Sequence, residues 1–554
     1  MEFMAIPASK SVHFPAKSRR KPKPDALKIH RLTPSRCKFL HNLTSASTLN
    51  ETNFSVSIKC QEQTENTSSK TENPKENSWI HFGFEVSGSD IARSELMDEL
   101  QESGAELHLG HSVSNLQRNN GSNLPDAVVV SSAIPSDNVE ILHAKSYGVP
   151  VYKRDKWLEK ITSNYNLVAV SGTHGKSTTT AMLAYVLSAM GDDLTAIVGA
   201  NVPQFPGGNI LLGRGLNFVL EADEYDNCFL GLSPYIAVVT NVEWEHVDIF
   251  QDEEAVKNSF RRFLKQIRVR GHLILCGDSE GACSLLSETK PETASDDEPF
   301  VPSSTQSNAH YRVTTYGITN SNEWHASSIL PNLQGGTDYV LYHMGYPVAD
   351  ISLQIPGIHN VLNSLAVIAA VATLFSDGGL TYESVNCVKL HLSNFLGISR
   401  RFEMIGNIYG CHIYDDYAHH PTEVRAVLQT ARKKFPHKAL WVVFQPHTFS
   451  RLAAFVDDFA KALGHADRVV ITEVCAAREM NIWNVCGRDL ATSVIGPPSE
   501  YIPLLEDVVN KFFQEISTDP DREVVVFTLG PGDITTVGPK LLRELQQKLD
   551  PMPE

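Results

Sequence analysis

The stretch SGTHGKSTTT, residues 171–180, has the clearest chemical meaning in this sequence. An apolar run typical of a buried strand precedes it, and an amphipathic pattern typical of a helix follows directly. Backbone N–H groups of such a turn and the N-terminus of its helix together bind phosphate. Val170 stands where the usual eight-residue pattern has its first glycine, so the match is to a shorter form. We predict that Lys176 reaches the β- and γ-phosphates of a nucleotide and that the Ser177 hydroxyl coordinates Mg²⁺.

Acidic residues follow the next two apolar runs. Glu221, Asp223 and Glu224 in EADEYD cap one predicted strand, where carboxylates beside a phosphate loop can hold a metal ion. His246 in TNVEWEHVD follows the next strand, two residues before Asp248. Imidazole is a common ligand, so His246 is predicted to belong to a metal or phosphate site. The alternatives are a solvated acidic turn and a packed histidine.

A third group of polar residues lies at DDYAHHPTE. Asp415 and Asp416 end a predicted strand, and Pro421 marks the first turn of a helix. The adjacent His419 and His420 suggest zinc, but neighbouring side chains on a helix or turn diverge. Neither a cysteine nor a third histidine lies close in sequence, so we do not expect a zinc site.

Composition limits the possible functions. The 554 residues are 42% hydrophobic and carry a formal net charge of −16, which argues against a nucleic-acid phosphate track as the main partner. We predict no membrane span, because no apolar run approaches the length that a bilayer requires. Nine cysteines without a CxxC pair suggest neither a zinc ribbon nor a disulfide framework, and they favour a reducing compartment.

The first 50 residues differ from the rest of the chain. They hold ten Lys or Arg against only Glu2 and Asp25, with many hydroxyl side chains. This composition predicts an organellar transit peptide, which we place in the plastid; a disordered basic tail and a nuclear signal are the alternatives. A polar linker follows at residues 61–77, and folded protein is expected to start near Trp79.

Beyond the linker, strand and helix patterns alternate, which predicts an α/β chain with mostly parallel sheets. We divide the chain into a transit peptide and disordered linker (1–77), an N-terminal domain (78–165), a central domain (166–395) and a C-terminal domain (396–554). Residues 287–308 are rich in Ser, Pro and acids and are predicted to be a surface insertion.

Six ordered motifs carry a resemblance that extends from Trp79 to about Leu545: GTHGKSTTTAML, EADEYDNCFLGLSPYIAVVTNVEWEHVD, GIHNVLNSLAVIAA, GISRRFE, DDYAHHPTEV and FQPHTFSR. The chain resembles the Mur ligases, most closely the branch that joins L-alanine to UDP-N-acetylmuramate. The resemblance implies an ATP- and Mg²⁺-dependent ligase of peptidoglycan synthesis with three domains. These are a Rossmann-like domain for the UDP-sugar, a central phosphate-loop ATPase domain and a C-terminal Rossmann-like domain that closes over ATP. We expect a monomer or weak homodimer.

The resemblance also implies roles for individual residues. The expected metal ligands are Ser177, Glu221 and His246. The expected catalytic residues are Lys176, Glu221, His246, Arg401 and His419. ATP is expected to contact Gly172, Thr173, His174, Gly175, Lys176, Ser177, Thr178, Asn360, Asn363, Arg401 and Asp416, with the two asparagines near adenine, Asp416 on the ribose and Arg401 on the γ-phosphate. The muramate and amino-acid pocket is expected to contain Tyr417, His419, His447 and Arg451.

The sequence departs from the family pattern at two places that bear on the site. Thr448 stands where the family normally has arginine, so one of two cations facing the acidic substrate is missing. In WIHFGFEVSGSD, a strand at Trp79–Phe82 is separated only by Gly83 from a strand at Phe84–Ser87. The glycine-rich turn and first helix that cradle UDP in the family are therefore absent from this position. Two functional classes stay open: a working ligase, including a related muramoyl-peptide or other amide ligase, and a catalytically impaired plastid protein with a structural or regulatory role.

Overall fold

The computed structural model describes residues 55–60 and 84–549, except for gaps at 92, 94–96, 99–100, 102–104, 118–123, 132–133, 287–309, 376–381, 478 and 520. The predicted transit peptide at 1–50, the linker at 61–77, the strand at 79–82 and the insertion at 287–308 lie outside the described residues. Three β-sheets follow one another along the chain, with helices packed around them. Within the described ranges, no helix combines the length and the apolar character needed to cross a bilayer.

The N-terminal sheet has five strands in the order β3-β2-β1-β4-β5. They are β1 Ser55–Cys60, β2 Phe84–Asp90, β3 Glu106–Leu109, β4 Ala127–Val130 and β5 Val151–Lys153. The pairs β2/β3 and β4/β5 are parallel. Two helices, α1 Val139–Ser146 and α2 Arg154–Thr162, and a 3₁₀ helix, Val113–Leu116, accompany the sheet.

Strand β1 corrects the expectation that folded protein starts near Trp79. It lies at the centre of the sheet and pairs antiparallel with both β2 and β4. The two parallel halves of the sheet would each leave an unpaired strand edge there, and residues 55–60 supply the missing backbone partner. The segment SVSIKC alternates polar residues with Val56 and Ile58, which is a short strand pattern next to a polar linker.

The central sheet has ten strands in the order β15-β14-β13-β12-β11-β10-β6-β9-β7-β8. Its strands are β6 Asn166–Ser171, β7 Thr195–Ile197, β8 Ile210–Leu211, β9 Asn217–Glu221, β10 Ile236–Val239, β11 His272–Cys276, β12 Arg312–Gly317, β13 Trp324–Pro331, β14 Thr337–His343 and β15 Tyr346–Leu353. Its helices are α3 Lys176–Ala189, α4 Glu253–Leu264, α5 Glu280–Ser284, α6 Ile358–Leu374 and α7 Tyr382–Leu392, with a 3₁₀ segment at Tyr225–Gly231.

The core of this part lies on both faces of the parallel strands. Residues 167–170 of β6 are fully buried, as expected for a parallel strand covered on both sides. On one face, α3 and α6 share an apolar cluster with the sheet. On the other face, Phe260 and Phe263 of α4 pack against Phe229. This packing holds the carboxyl ends of β6, β9 and β10 side by side.

The C-terminal sheet has six strands in the order β16-β17-β21-β18-β19-β20, and all neighbours except β16/β17 are parallel. Its strands are β16 Glu403–Ile408, β17 Cys411–Asp416, β18 Ala439–Phe444, β19 Arg468–Ile471, β20 Ser499–Tyr501 and β21 Val524–Leu529. Its helices are α8 Pro421–Lys434, α9 Phe449–Leu463, α10 Gly487–Ser493, α11 Leu505–Thr518 and α12 Val537–Leu549, with a 3₁₀ turn at Asp533–Thr536.

Candidate functional site

The phosphate loop connects β6 to α3, and two glycines give it its shape. Gly172 has φ +127°, and a Cβ atom there would lie 2.1 Å from Thr240 Oγ1. Gly175 has φ +82° and immediately precedes the first residue of α3. Both positions need glycine because other residues rarely adopt such φ values. The loop therefore presents the N-terminus of α3 at the carboxyl edge of the central sheet.

The Lys176 side chain folds back over this loop. Its Nζ donates to Gly172 O at 2.7 Å and to both carboxylate oxygens of Glu224 at 3.1 and 2.9 Å. Burial alone would lower the pKa of Lys176, but the charges of Glu224 and Asp223 outweigh it and raise that pKa. Burial raises the pKa of Glu224 to about 7, although Lys176 opposes this shift. The ammonium group is thus held close to the loop.

The predicted metal ligands fall into two neighbouring groups. Ser177 Oγ donates to Glu221 Oε1 at 2.9 Å, and Glu221 also accepts from the Gly199 N–H group. His246 lies instead beside Glu224, with 3.6 Å between its Nε2 and Glu224 Oε1. Glu224, His246 and Asp223 form a close group of metal-ligand type. The set Ser177, Glu221 and His246 stays a prediction; all three line one cavity.

A cavity of about 780 Å³ opens between the phosphate loop, α6 and the C-terminal sheet. Asn360 and Asn363, both on α6 and almost buried, line it together with Asp416. Asn363 Oδ1 accepts from Thr179 Oγ1 at 3.1 Å, which ties α6 to α3 behind the loop. The residues predicted to contact adenine and ribose therefore surround one space next to the phosphate loop.

Asp416, at the end of β17, is positioned by backbone donors. Its two oxygens accept from Phe402 N at 2.7 Å and from Ala418 N at 2.8 Å. Burial raises the pKa of Asp416 to about 6, although Arg401 and the two N–H groups favour the carboxylate. Arg401 lies 5.0 Å from the ring centre of Tyr417, so the cation covers an aromatic face.

A second cavity, of about 550 Å³, adjoins the first at the phosphate loop. Both cavities are lined by His174, Gly175, Thr178 and Arg401. The second is also lined by the predicted residues Thr173, Lys176, Ser177, Glu221, His246, Tyr417, His419, His447 and Arg451, whereas Gly172 lines neither cavity. The structure thus brings predicted nucleotide and substrate residues from the central and C-terminal sheets to the two sides of one loop.

Arg451 lines this second cavity, but its guanidinium already has a partner. Its Nε donates to Glu245 Oε1 at 2.9 Å, and Nη2 donates to the same oxygen. Nη1 lies 2.9 Å from His447 Nδ1. Burial alone would raise the pKa of Glu245, but Arg451 holds it well below its usual range. This buried ion pair joins α9 to the segment after β10.

Thr448, at the position where the resemblance predicted an arginine, caps the helix that carries Arg451. Its Oγ1 accepts from Arg451 N at 3.4 Å, and the residue has φ +61°. A β-branched residue rarely adopts a positive φ. The position therefore supplies a helix cap in place of a second cation.

The acids that join the two halves of the site were missed among the sequence candidates: Glu243, Glu245 and Glu423. Two of them occur in TNVEWEHVD and the third follows DDYAHHPT. A signal was present for Glu423, because a glutamate at the third helical position forms a capping box with the residue before the helix. His420 also gains partners that are distant in sequence, since it lies with His174 and Glu243 in a group of metal-ligand type. These partners lie at least 177 residues from His420 in the sequence, so local spacing does not indicate them.

Comparison with known proteins identifies the family. The Mur ligase family catalytic domain matches residues 80–166, the Mur ligase middle domain matches 170–371, and the glutamate ligase domain of Mur ligases matches 400–530. A UDP-N-acetylmuramate–L-alanine ligase from Frankia casuarinae is 39% identical over 488 residues, which cover 84% of this chain and 94% of that protein. The chain belongs to the Mur ligase family. Strand β1 lies outside all three matched ranges.

Other Mur ligases give the same result. The UDP-N-acetylmuramate–L-alanine ligase of Caldicellulosiruptor saccharolyticus is 36% identical over 82% of this chain and 92% of its own length. The crystal structure of the UDP-N-acetylmuramate–alanine ligase from Thermotoga maritima matches with a TM-score of 0.63 and 26% identity, covering 83% of this chain and 93% of that one. A murein peptide ligase from Psychrobacter arcticus shares the fold, with a TM-score of 0.55 at 22% identity.

Proposed function

We propose that this Mur ligase uses ATP to join the carboxylate of UDP-N-acetylmuramate to the amino group of L-alanine. One observation carries the proposal: two cavities lie on either side of the phosphate loop. The predicted adenine and ribose residues line one cavity, and the predicted substrate residues line the other. The relatives named above, which are called UDP-N-acetylmuramate–L-alanine ligases, support the choice of substrates.

The proposed reaction has two steps. An oxygen of the muramate carboxylate attacks the γ-phosphorus of ATP, the bond to the β-phosphate oxygen breaks, and an acyl phosphate and ADP result. The amine of L-alanine then attacks the acyl carbon, loses a proton, and expels inorganic phosphate as the amide forms. Both steps develop negative charge on oxygen, so fixed cations and N–H donors around the phosphates supply most of the catalysis.

The chain's own cations are placed for that task. Lys176 lies on the phosphate loop, where ATP phosphates would replace Glu224 as its partner. Arg401 lines both cavities, so it can contact a phosphate that passes between them. The main-chain N–H groups at the start of α3 complete the anion site. These groups bind the triphosphate and hold its γ-phosphate toward the second cavity.

The donor set near Ser177 fits a magnesium ion. Mg²⁺ prefers oxygen ligands, and the Ser177 hydroxyl and Glu221 carboxylate lie side by side at the loop. Burial raises the pKa of Glu221 while Lys176 opposes the shift. A bound cation would therefore favour the charged form of Glu221. When bound, Mg²⁺ supplies charge neutralisation on the phosphate oxygens.

Alanine-dependent phosphate release tests the proposal. The full chain is incubated with ATP, Mg²⁺, UDP-N-acetylmuramate and L-alanine, and phosphate and the amide product are measured. We expect release that requires all components and disappears in Lys176→Ala, which should also lose ATP binding in isothermal titration. Equal ATP affinity in the variant, or phosphate release independent of L-alanine, would refute the assignment.

We also propose that the protein works in plastids, on the basis of its basic, hydroxyl-rich N-terminal composition. A fluorescent protein fused after residue 54 should enter plastids. A diffuse cytosolic signal or a nuclear signal would contradict this location.

A second candidate function follows from strand β1. In a parallel Rossmann-like sheet, the central strand runs into the turn that binds the ligand's phosphates. Here β1 is antiparallel, so its first residue, Ser55, lies at the edge formed by the carboxyl ends of β2 and β4. This arrangement favours a protein that binds ATP but binds UDP-N-acetylmuramate weakly and acts in a structural or regulatory role. Inserting a glycine-rich turn and helix between Phe82 and Gly83 should then increase UDP-sugar affinity; strong ligase activity without the insertion would exclude this alternative.

A further inference from the structure

The phosphate loop also contacts the first turn of α8 in the C-terminal part of the chain. His174 lies between two carboxylates, with 3.3 Å from its Nδ1 to Glu423 Oε1 and 3.5 Å from its Nε2 to Glu243 Oε2. Its side chain is only 12% exposed. One residue of the loop thus links the segment after β10 to the start of α8.

Glu423 uses its two oxygens for different purposes. Its Oε2 accepts from the backbone N–H groups of His419 at 3.0 Å and His420 at 3.3 Å. Its Oε1 faces His174. The carboxylate therefore positions the turn that carries Tyr417 and His419, and its own position depends on His174.

The main chain of His174 is fixed from behind. His174 N donates to Asn241 Oδ1 at 2.8 Å, and His174 O accepts from Thr240 Oγ1 at 2.6 Å. The imidazole therefore cannot follow α8 unless the phosphate loop moves. Burial alone would lower the pKa of His174, but Glu243 and Glu423 raise it to about 10. Both ring nitrogens face a carboxylate, and this arrangement favours the imidazolium form, which offsets the two negative charges.

We propose that His174 is a positioning residue that acts through Glu423 and holds the turn 417–420 against the phosphate loop when nucleotide is bound. The proposal rests on the function proposed above in one respect, because it assigns that turn to the substrate side of the site. It predicts that loss of His174 impairs closure and the chemical step, while the backbone donors for the phosphates remain.

A double-mutant cycle in the full-length protein tests the coupling. The variants are His174→Asn, Glu423→Gln and the double variant, with Lys433→Gln on an exposed position of α8 as the matched control. A lost buried contact to a charged group lowers kcat about tenfold to a hundredfold. We expect each single variant to show this loss, the double variant to show no more, and the KM for ATP to change less than threefold.

Closure is measured separately from catalysis, so that failure of the proposed function is recognised. Small-angle X-ray scattering with a saturating non-hydrolysable ATP analogue gives the closed fraction, which should fall in all three variants. A wild-type protein that closes without alanine-dependent phosphate release would refute the proposed function, while the closed fractions of the variants would still test the role of His174. Additive losses in the double variant, or a raised KM for ATP with unchanged kcat, would overturn the role of His174. The role would also be overturned if the wild-type protein bound one zinc ion per chain and His420→Ala lost it, because His174 would then be a metal ligand.

Discussion

The buried ion pair between Arg451 and Glu245 should control closure of the C-terminal part onto the central sheet. We consider the substitution Arg451→Met, which preserves much of the side-chain volume and removes the charge. Arg451 lies in the first turn of α9, Glu245 follows β10, and their side chains are 5% and 4% exposed. The substitution leaves Glu245 without its cation in the closed arrangement.

The cost of this change follows from the burial of the pair. Removing one partner of a buried ion pair typically costs about 3–5 kcal/mol, because the other charge stays desolvated. Opening the two parts returns Glu245 to water and relieves this cost. Closure should therefore weaken by roughly two to four powers of ten, while unfolding of the separate parts changes much less.

Scattering measurements with the ATP analogue report the closed fraction, and differential scanning calorimetry reports the unfolding of the parts. Lys461→Met is the matched control, since Lys461 also lies on α9 and its partner Asp458 is half exposed. Such an exposed pair contributes about 0–1 kcal/mol. The double variant Glu245→Gln with Arg451→Met removes both charges and should recover part of the closure.

Two results would refute this reasoning. The first is an Arg451→Met protein that closes as readily as Lys461→Met, which would mean that the pair contributes nothing to closure. The second is a double variant as impaired as the sum of the single variants. That outcome would mean that the uncompensated charge of Glu245 is not the cause of the loss.

Three further predictions concern the loop, the pH dependence and the N-terminal sheet. Gly172→Ala should weaken ATP binding more than tenfold in isothermal titration, because its Cβ would lie 2.1 Å from a neighbouring oxygen. Gly191→Ala is the control: it has φ +94° but lies in open space, so it should cost only about 1–2 kcal/mol of stability and leave ATP affinity unchanged. Burial alone would raise the pKa of Glu243, but His174 lowers it to about 2. The charged form of Glu243 therefore stabilises the fold above pH 4.5, and this contribution is lost as the pH falls toward 2. The thermal midpoint of Glu243→Gln should depend less on pH in that window than the midpoint of the wild-type protein. A chain lacking residues 1–54 should keep slow hydrogen exchange in β2 and β4, whereas a chain lacking residues 1–60 should lose it, and equal protection in both would show that β1 is not the central strand.

Residues close together in the sequence determined the phosphate loop. A run of buried strand residues, two glycines at positive φ, and Lys176 at the first position of α3 are local features, and each restricts the backbone where it occurs. The alternation of strands and helices likewise predicted an α/β chain, because strand and helix patterns depend on short-range periodicity. The sequence also placed Asp416 at the end of its strand.

Only the tertiary structure decided how these side chains are paired. Lys176 binds Glu224, and His246 lies beside the same carboxylate rather than in a group with Glu221. Arg451 binds Glu245, a residue 206 positions earlier in the chain. The contacts of Glu224 form between neighbouring strand ends of the central sheet, and the pair of Arg451 with Glu245 forms between the central and C-terminal parts. No local pattern encodes which acid faces which base.

Strand β1 shows most clearly which features follow from the local sequence and which depend on the tertiary structure. Its alternating pattern is visible in SVSIKC, but the pattern is equally compatible with an edge strand, a central strand or an unpaired segment. Its place between β2 and β4, and its antiparallel direction, depend on two unpaired backbone edges that exist only after the sheet has assembled. The local sequence determined that residues 55–60 can extend, and backbone pairing across the folded sheet decided where they lie.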